Sequence, residues 1–342
     1  METCLPLELV KLIDANYPGI WDKLEEIHKK NVDGELWDKK CYIPMPLVYD
    51  ELCKMDSNKQ RCLLYASATV GIAAWRIHKQ IFEFDKDLEQ MLLEQKDEDL
   101  ILPVEVINNL PFRCIYIKTK ALLDSEGFFV YFDDYNGQVE LRFLIVKPDE
   151  NLGIVGMTPS LINMTPGKTI NELIDSLIQE EFKLSKLGLG DISDQSEEVH
   201  ESISVMLQFV LYLCSQNKEV IEDPVQKKVT KQPKDFKFIK DKYREVQKWN
   251  CGTNTGNAIR EYRRNPTRYE YEKDPERIGT GTPKRPHSRR GHWHSFWVGK
   301  KGTSERKTVL KWVAPTFVHK MIEQEESNGI TTNIVKNNSK HS

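Results

Sequence analysis

Three runs decide how the chain reads: Phe112-Arg113-Cys114-Ile115-Tyr116-Ile117, Gly127-Phe128-Phe129-Val130-Tyr131-Phe132, and Val139-Glu140-Leu141-Arg142-Phe143-Leu144-Ile145-Val146. All are rich in aromatic and β-branched residues, which suit a pleated, buried surface. Between the second and third, Asp133-Asp134-Tyr135-Asn136-Gly137 carries the residues a tight hairpin turn demands. A fourth run, Gly153 to Thr158, continues the pattern. The expectation is an antiparallel β-meander.

Downstream, Pro166-Gly167 interrupts the strands, and Thr169-Ile170-Asn171-Glu172 is a capping box that opens a helix through Phe182. Lys183 to Asp194 reads as a surface loop. A second helix, from about Ser196 to Ser215, is strongly apolar at Val205, Leu207, Phe209, Val210, Leu211 and Leu213. Together these helices would cover one face of the sheet. Upstream, apolar residues at helical spacing predict two short helices within residues 5–30, broken at Pro18-Gly19, with Trp21 and Trp37 packed nearby. A long apolar helix is expected from about Asn58 to Phe84, and an amphipathic one from Asp85 to Gln95. The long helix carries Ala66, Ser67, Ala68, Gly71, Ala73 and Ala74, so a neighbour can approach closely. Core burial is the first reading of that face; a groove for a peptide is the second.

The fold class is therefore α+β, with N-terminal helices and a central antiparallel meander covered by helices. A basic C-terminal arm would end in a hairpin rich in tryptophan and histidine. The expected segments are 1–100 helical, 101–222 the α+β core, 223–282 a basic arm, 283–320 the hairpin and 321–342 a disordered tail.

Composition sets the outer bounds. A chain of 342 residues with 39% hydrophobic and 30% charged residues has material for a sizeable core. Its net charge of -3 conceals a polarity: residues 224–320 hold 25 Lys and Arg against 9 Asp and Glu, and the rest holds 24 against 43. Such a split points to a polyanionic partner for the basic part, or to neutralisation of one part by the other. Seven cysteines, odd in number and never two apart as a pair, read as buried thiols of a reducing compartment. Met1-Glu2-Thr3-Cys4-Leu5-Pro6 has no basic region before an apolar run, and no apolar run reaches membrane-spanning length. The expected location is cytoplasmic, with no membrane partner. Phosphate loops, nucleophile elbows, dinucleotide fingerprints and metalloprotease helices are all missing from the sequence, and no small-molecule cofactor is expected.

The most unusual stretch lies at 283–319. Period-two alternation would put His292, His294, Phe296 and Val298 on one face of a strand and Trp293, Ser295 and Trp297 on the other. Gly299-Lys300-Lys301-Gly302 supplies a turn, and residues 306–313 supply the return strand. Arg285, Arg289, Arg290, Lys300, Lys301, Arg306, Lys307 and Lys311 form a cationic rim. One reading is RNA binding: cations on phosphates, with Trp293, Trp297, Trp312 and Phe296 offering flat faces to unstacked bases. Burial of at least one of these indoles competes with it. A second is metal binding by His292 and His294 with His287 or His319, but no cysteine or close acid accompanies them and no metal site is assigned. A third is acid-base cleavage of RNA by His292 and His294, with Arg289, Arg290 or Lys311 stabilising charge on phosphorus.

The string Arg285-Pro286-His287-Ser288-Arg289-Arg290-Gly291-His292-Trp293-His294, followed by Trp297, Gly299, Lys311-Trp312 and Phe317-Val318, resembles the type V-A anti-CRISPR proteins of the second-named family. Leu63-Leu64-Tyr65 with Ala74-Trp75-Arg76 is similar to that family's N-terminal helix, and Leu110 to Ile117 to its first central strand. The likeness covers the chain from about residue 55. It implies an inhibitor that lowers production of a type V CRISPR effector: the effector's N-terminal peptide is recognised as it leaves the ribosome, and the translated message is lost. On that reading Tyr65, Trp75 and Arg76 would contact the peptide, and the hairpin would face ribosomal RNA or message. A stand-alone factor that binds or cleaves RNA is the alternative.

Overall fold

Asn136 (φ 54°) and Gly137 (φ 80°) both lie in the left-handed region, closing a two-residue turn between paired Tyr135 and Gln138. That backbone matches the right-handed twist of the strands it joins, which is why the Asn-Gly pair sits there. The structure, a computed structural model, describes residues 4–95, 99–102, 104–122, 125–149, 153–163, 167–186, 196–222, 245–264, 287–289, 291–303, 306–313 and 316–318. In chain order the helices are α1 (Leu5–Asn16), α2 (Ile20–Lys30), α3 (Met45–Cys53), α4 (Lys59–His78), α5 (Lys86–Leu93), α6 (Val104–Ile107), α7 (Ile170–Lys186), α8 (Ser196–Cys214) and α9 (Thr253–Arg264). The strands are β1 (Gln80–Phe84), β2 (Cys114–Lys118), β3 (Gly127–Tyr135), β4 (Gln138–Asp149), β5 (Gly153–Asn163), β6 (Val220–Glu222), β7 (Gln247–Cys251), β8 (His287–Arg289), β9 (His292–Val298), β10 (Lys307–Val313) and β11 (Thr316–Val318).

Strands β2 to β5 form the expected antiparallel meander, but the sheet is larger and mixed. Its order is β5-β4-β3-β2-β1-β7-β6, with β1 parallel to both β2 and β7. The long helix thus ends at His78, short of the expected Phe84. Lys79 adopts a left-handed conformation (φ 49°, ψ 44°) and its N–H closes on the Trp75 carbonyl, so the chain turns out of the helix into β1. Apolar periodicity over so short a run does not separate a buried strand from a helix end. Likewise β7 comes from within the stretch expected to be a basic arm, where Gln247, Trp249 and Cys251 are buried and the residues between them are not. Boundaries at residues 100 and 222 therefore cut across one sheet.

Alternation sorts the side chains into two cores, one on each face of the sheet. Ile81, Cys114, Tyr116, Phe129, Tyr131, Leu144 and Val146 face α1 to α4. Phe82, Phe84, Ile115, Ile117, Phe128, Val130, Phe132 and Phe143 face α5 to α8. Helices α7 and α8 cover one face as expected, and α1 to α4 cover the other. Gly71 lets α4 lie flat on the sheet: a Cβ there would stand 3.0 Å from both Leu144 and Tyr131 side chains. The capping box at the start of α7 forms as read, with Thr169 N–H on Glu172 Oε2 at 2.8 Å and Glu172 N–H on Thr169 Oγ1 at 3.2 Å.

Buried carboxylates of β3 tie down the segment between α2 and α3. Asp134 Oδ2 accepts the Asp38 N–H at 2.7 Å, and Asp133 Oδ1 accepts the Met45 N–H at 3.4 Å. Arg142 answers the charge, with Nε 3.2 Å from Asp133 Oδ2 and one terminal nitrogen 3.0 Å from Glu140 Oε2.

His78 makes folding sensitive to mild acid. It is buried against Phe112, ring centroids 5.5 Å apart. Burial, aided by the nearby Arg113 guanidinium, pushes its pKa down to about 4. An unfolded imidazole titrates near ~6.5, so between the two values the unfolded chain binds more protons. The contribution is complete above about 6.5 and is lost as pH falls toward the folded value. Between pH ~7 and ~4.5 the parent should lose roughly 2 kcal/mol more stability than His78→Gln, read from urea midpoints at the two pH values. Equal losses would show that His78 does not stay neutral in the fold.

Candidate nucleic-acid interface

Strands β9 and β10 pair antiparallel from Val313 against His292 to Lys307 against Val298, and residues directly opposite share a face. The sequence reading of the hairpin and its two faces is therefore the observed one. One face carries Trp293 with Trp312, Ser295 with Leu310, and Trp297 with Thr308. Its inner half is core: Trp293, Leu310 and Trp312 are buried beside α8. Trp293 Nε1 donates to Gln208 Oε1 at 2.7 Å. Asn217 grips the backbone of Trp312 from both sides, accepting its N–H at 3.0 Å and donating to its carbonyl at 2.7 Å. Gln216 N–H adds a bond to the Leu310 carbonyl at 2.9 Å. The base of the ribbon is thus fixed to the end of α8 and the turn that follows it.

The opposite face carries His292 with Val313, His294 with Lys311, Phe296 with Val309, and Val298 with Lys307. All four β9 residues here are exposed. The rings of His294 and Phe296 lie 4.1 Å apart, and Lys311 Nζ stands 5.4 Å from the Phe296 centroid. At the tip Trp297 is 63% exposed, with the Arg306 guanidinium 4.6 Å from its ring centre. Lys300 and Lys301 lie within the turn, both exposed. Among the described residues no carboxylate pairs with Lys300, Lys301, Arg306 or Lys311. Cations on phosphates and rings against bases are the chemistry such a surface can perform.

Not every residue read as a contact lies on this surface. Trp293 is a core residue whose N–H is engaged by Gln208, so it offers no face to a base. Arg285, Arg290 and the side chain of Arg289 lie outside the described residues, as does the 321–342 tail. Arg260 and Arg263, part of the basic third, fold back on the acidic part: Arg260 reaches Asp85 Oδ2 at 2.9 Å and Asp87 Oδ2 at 2.7 Å, and Arg263 also pairs with Asp87. Helix α9 is neutralised in place. Of the proposed peptide contacts, Tyr65 is 1% and Trp75 0% exposed, both inside the core against the sheet. Arg76 is partly exposed, its guanidinium 4.4 Å from the ring centre of Trp21. A cleft of about 280 Å³ lies between α2 and α3, lined by Ile27, Leu36, Trp37 and Leu47 and edged by Asp50, Glu51, Lys30 and Lys54. Gln208 was the legible clue to the ribbon's anchor, because a polar residue within an apolar helix face needs a partner. No group of three or more candidate metal ligands occurs among the described residues, and no helix among them is long and apolar enough to cross a membrane.

One mixed sheet between two helical layers, bearing a basic aromatic ribbon anchored at its base, defines an α+β protein. The chain belongs to the AcrVA2-like family, the anti-CRISPR type V subtype A2 family, whose family model matches residues 82–320. That span runs from β1 through the ribbon and starts later than the resemblance expected from about residue 55. Protein FinQ of Escherichia coli is 23% identical over 266 residues, which cover 72% of this chain and 74% of that protein. The crystal structure of AcrVA2 superimposes with a TM-score of 0.59 at 18% identity, covering 91% of this chain and 99% of that one, and so shares the fold. Family membership supports an anti-CRISPR role.

Proposed function

We propose that the protein lowers production of a type V CRISPR effector by recognising the effector's N-terminal peptide as it is translated and triggering loss of the message. The observation that supports this reading beyond family membership is the ribbon: its base is locked into the core, its His294, Phe296 and Trp297 rings are exposed, and its Lys300, Lys301, Arg306 and Lys311 have no carboxylate partner among the described residues. Ribosomal RNA or the message supplies the polyanion for these cations. The cleft at Ile27, Leu36, Trp37 and Leu47 gives the apolar concavity that a peptide side chain needs, and it replaces the buried face of α4 in that role. It lies outside the span matched by the family, so the peptide it takes can be particular to this chain.

The test is a pull-down from translating cells, with sequencing of the bound RNA and identification of the bound nascent chains. Recovery of one message together with its own N-terminal peptide is the expected result. Recovery of RNA without preference for any message would overturn it.

The second reading, RNA cleavage by the ribbon itself, draws on Lys311 standing opposite His294 with His292 on the same face. His292→Ala with His294→Ala separates the two. Under the first reading parent and variant are alike in leaving purified RNA intact. Under the second the parent cleaves it and the variant is slower by about 10²- to 10⁴-fold.

A further inference from the structure

We infer that the outer half of the ribbon binds unpaired RNA by stacking a base on each of its two faces, Phe296 on one and Trp297 on the other; this rests on the RNA-facing reading of the ribbon. The inner face changes character along its length. Trp293 and Trp312 are covered by α8, whereas Trp297, four residues further on, has passed the edge of the core and is 63% exposed. On the reverse face Phe296 is 38% and Val298 44% exposed. Among the described residues, Trp297 has the Arg306 guanidinium beside it and Phe296 has the His294 ring and Lys311, but no element covers either ring, and rings left exposed in this way suit a flat partner.

Charge identifies that partner. Residues 287–318 hold seven Lys and Arg against Glu305 alone. Each open ring has a cation beside it, Arg306 by Trp297 and Lys311 by Phe296. A base laid on either ring therefore brings its phosphate within reach of a positive charge, and Lys300 and Lys301 continue the track around the tip. A paired base keeps its faces inside the duplex, and the deep, narrow major groove of A-form RNA admits no such ribbon, so the strand must be unpaired. Stacking uses the ring face common to all four bases, so little sequence preference should follow.

The experiment uses the full chain, a fluorescein-labelled oligouridine of about twelve nucleotides, and a duplex RNA of the same length, followed by anisotropy across a salt series. The single strand should bind more tightly than the duplex. Phe296→Ala and Trp297→Ala should each weaken it by roughly 5- to 150-fold with an unchanged circular dichroism spectrum, because both side chains are exposed. Lys300→Ala with Lys301→Ala should flatten the slope of log affinity against log salt by about 1.4. Preference for duplex, or aromatic variants that bind like the parent while the lysine variant weakens, would overturn stacking and leave a ribbon that touches phosphates only. Failure of the parent to bind either RNA would remove the RNA-facing role itself and leave the exposed rings to a protein partner.

Discussion

Trp75→Ala is expected to lower the free energy of unfolding by about 3–5 kcal/mol, seen as a fall in the urea midpoint at unchanged slope. The indole is fully buried, edge-on to Phe129 with centroids 6.2 Å apart, so truncation opens a cavity where α4 meets the sheet. Its N–H also donates to the Gln80 carbonyl at 2.8 Å, and Gln80 Oε1 accepts the Trp249 N–H from β7 at 2.6 Å. One buried residue thereby links α4 to β1 and β7. Loss of the indole leaves a buried carbonyl without this donor and loosens the pairing that inserts β7 into the sheet. Trp75→Phe should recover most of the packing but not the hydrogen bond, and fall between parent and alanine variant. Any defect in CRISPR inhibition by Trp75→Ala should then track the unfolded fraction. An alanine variant with the parent's midpoint and no inhibition would instead make Trp75 a contact residue.

Arg142→Met is expected to cost a similar ~3–5 kcal/mol, through charge instead of volume. It removes the cation beside Asp133, which is 1% exposed, and one ion-pair partner of Glu140, which is 2% exposed. Burial already pushes the Asp133 carboxyl above its usual range, and Arg142 is the largest influence pulling it back. A carboxyl whose folded pKa exceeds its unfolded value of ~3.9 takes up a proton on folding, so its penalty grows as pH rises through that window and fades as pH falls. Removing Arg142 raises the folded value further. The variant's deficit should therefore be larger at pH ~7 than at pH ~4, and amide exchange should speed up first at Asp38 and Met45, whose N–H groups rest on Asp134 and Asp133. A deficit equal at both pH values would show that the carboxylates do not carry the strain.

Much of this architecture was legible residue by residue. Alternation from Phe112 to Val146, the Asn136-Gly137 turn, the Thr169/Glu172 capping box and the two faces of β9 all follow from local chemistry. The interior of the sheet was not legible. Gln80–Phe84 adjoins a long apolar helix and shares its hydrophobicity, and Gln247–Cys251 ends a run of lysines. Each becomes a strand because a parallel neighbour accepts it, and parallel partners lie far apart in the chain.

The same division runs through the candidate interface. Its sequence determined which side chains share a face of the ribbon and where positive charge accumulates, since strand period and residue type are local properties. Only the tertiary structure decided what each face meets. Trp293 and Trp297 are the same residue type on the same side of one strand; the first is core because α8 lies beneath it, and the second is open because the helical layer has ended. Arg260 and Arg306 belong to the same basic third; one is neutralised by Asp85 and Asp87 and the other lies over Trp297. Periodicity names a surface, but only long-range packing determines whether protein or solvent covers it.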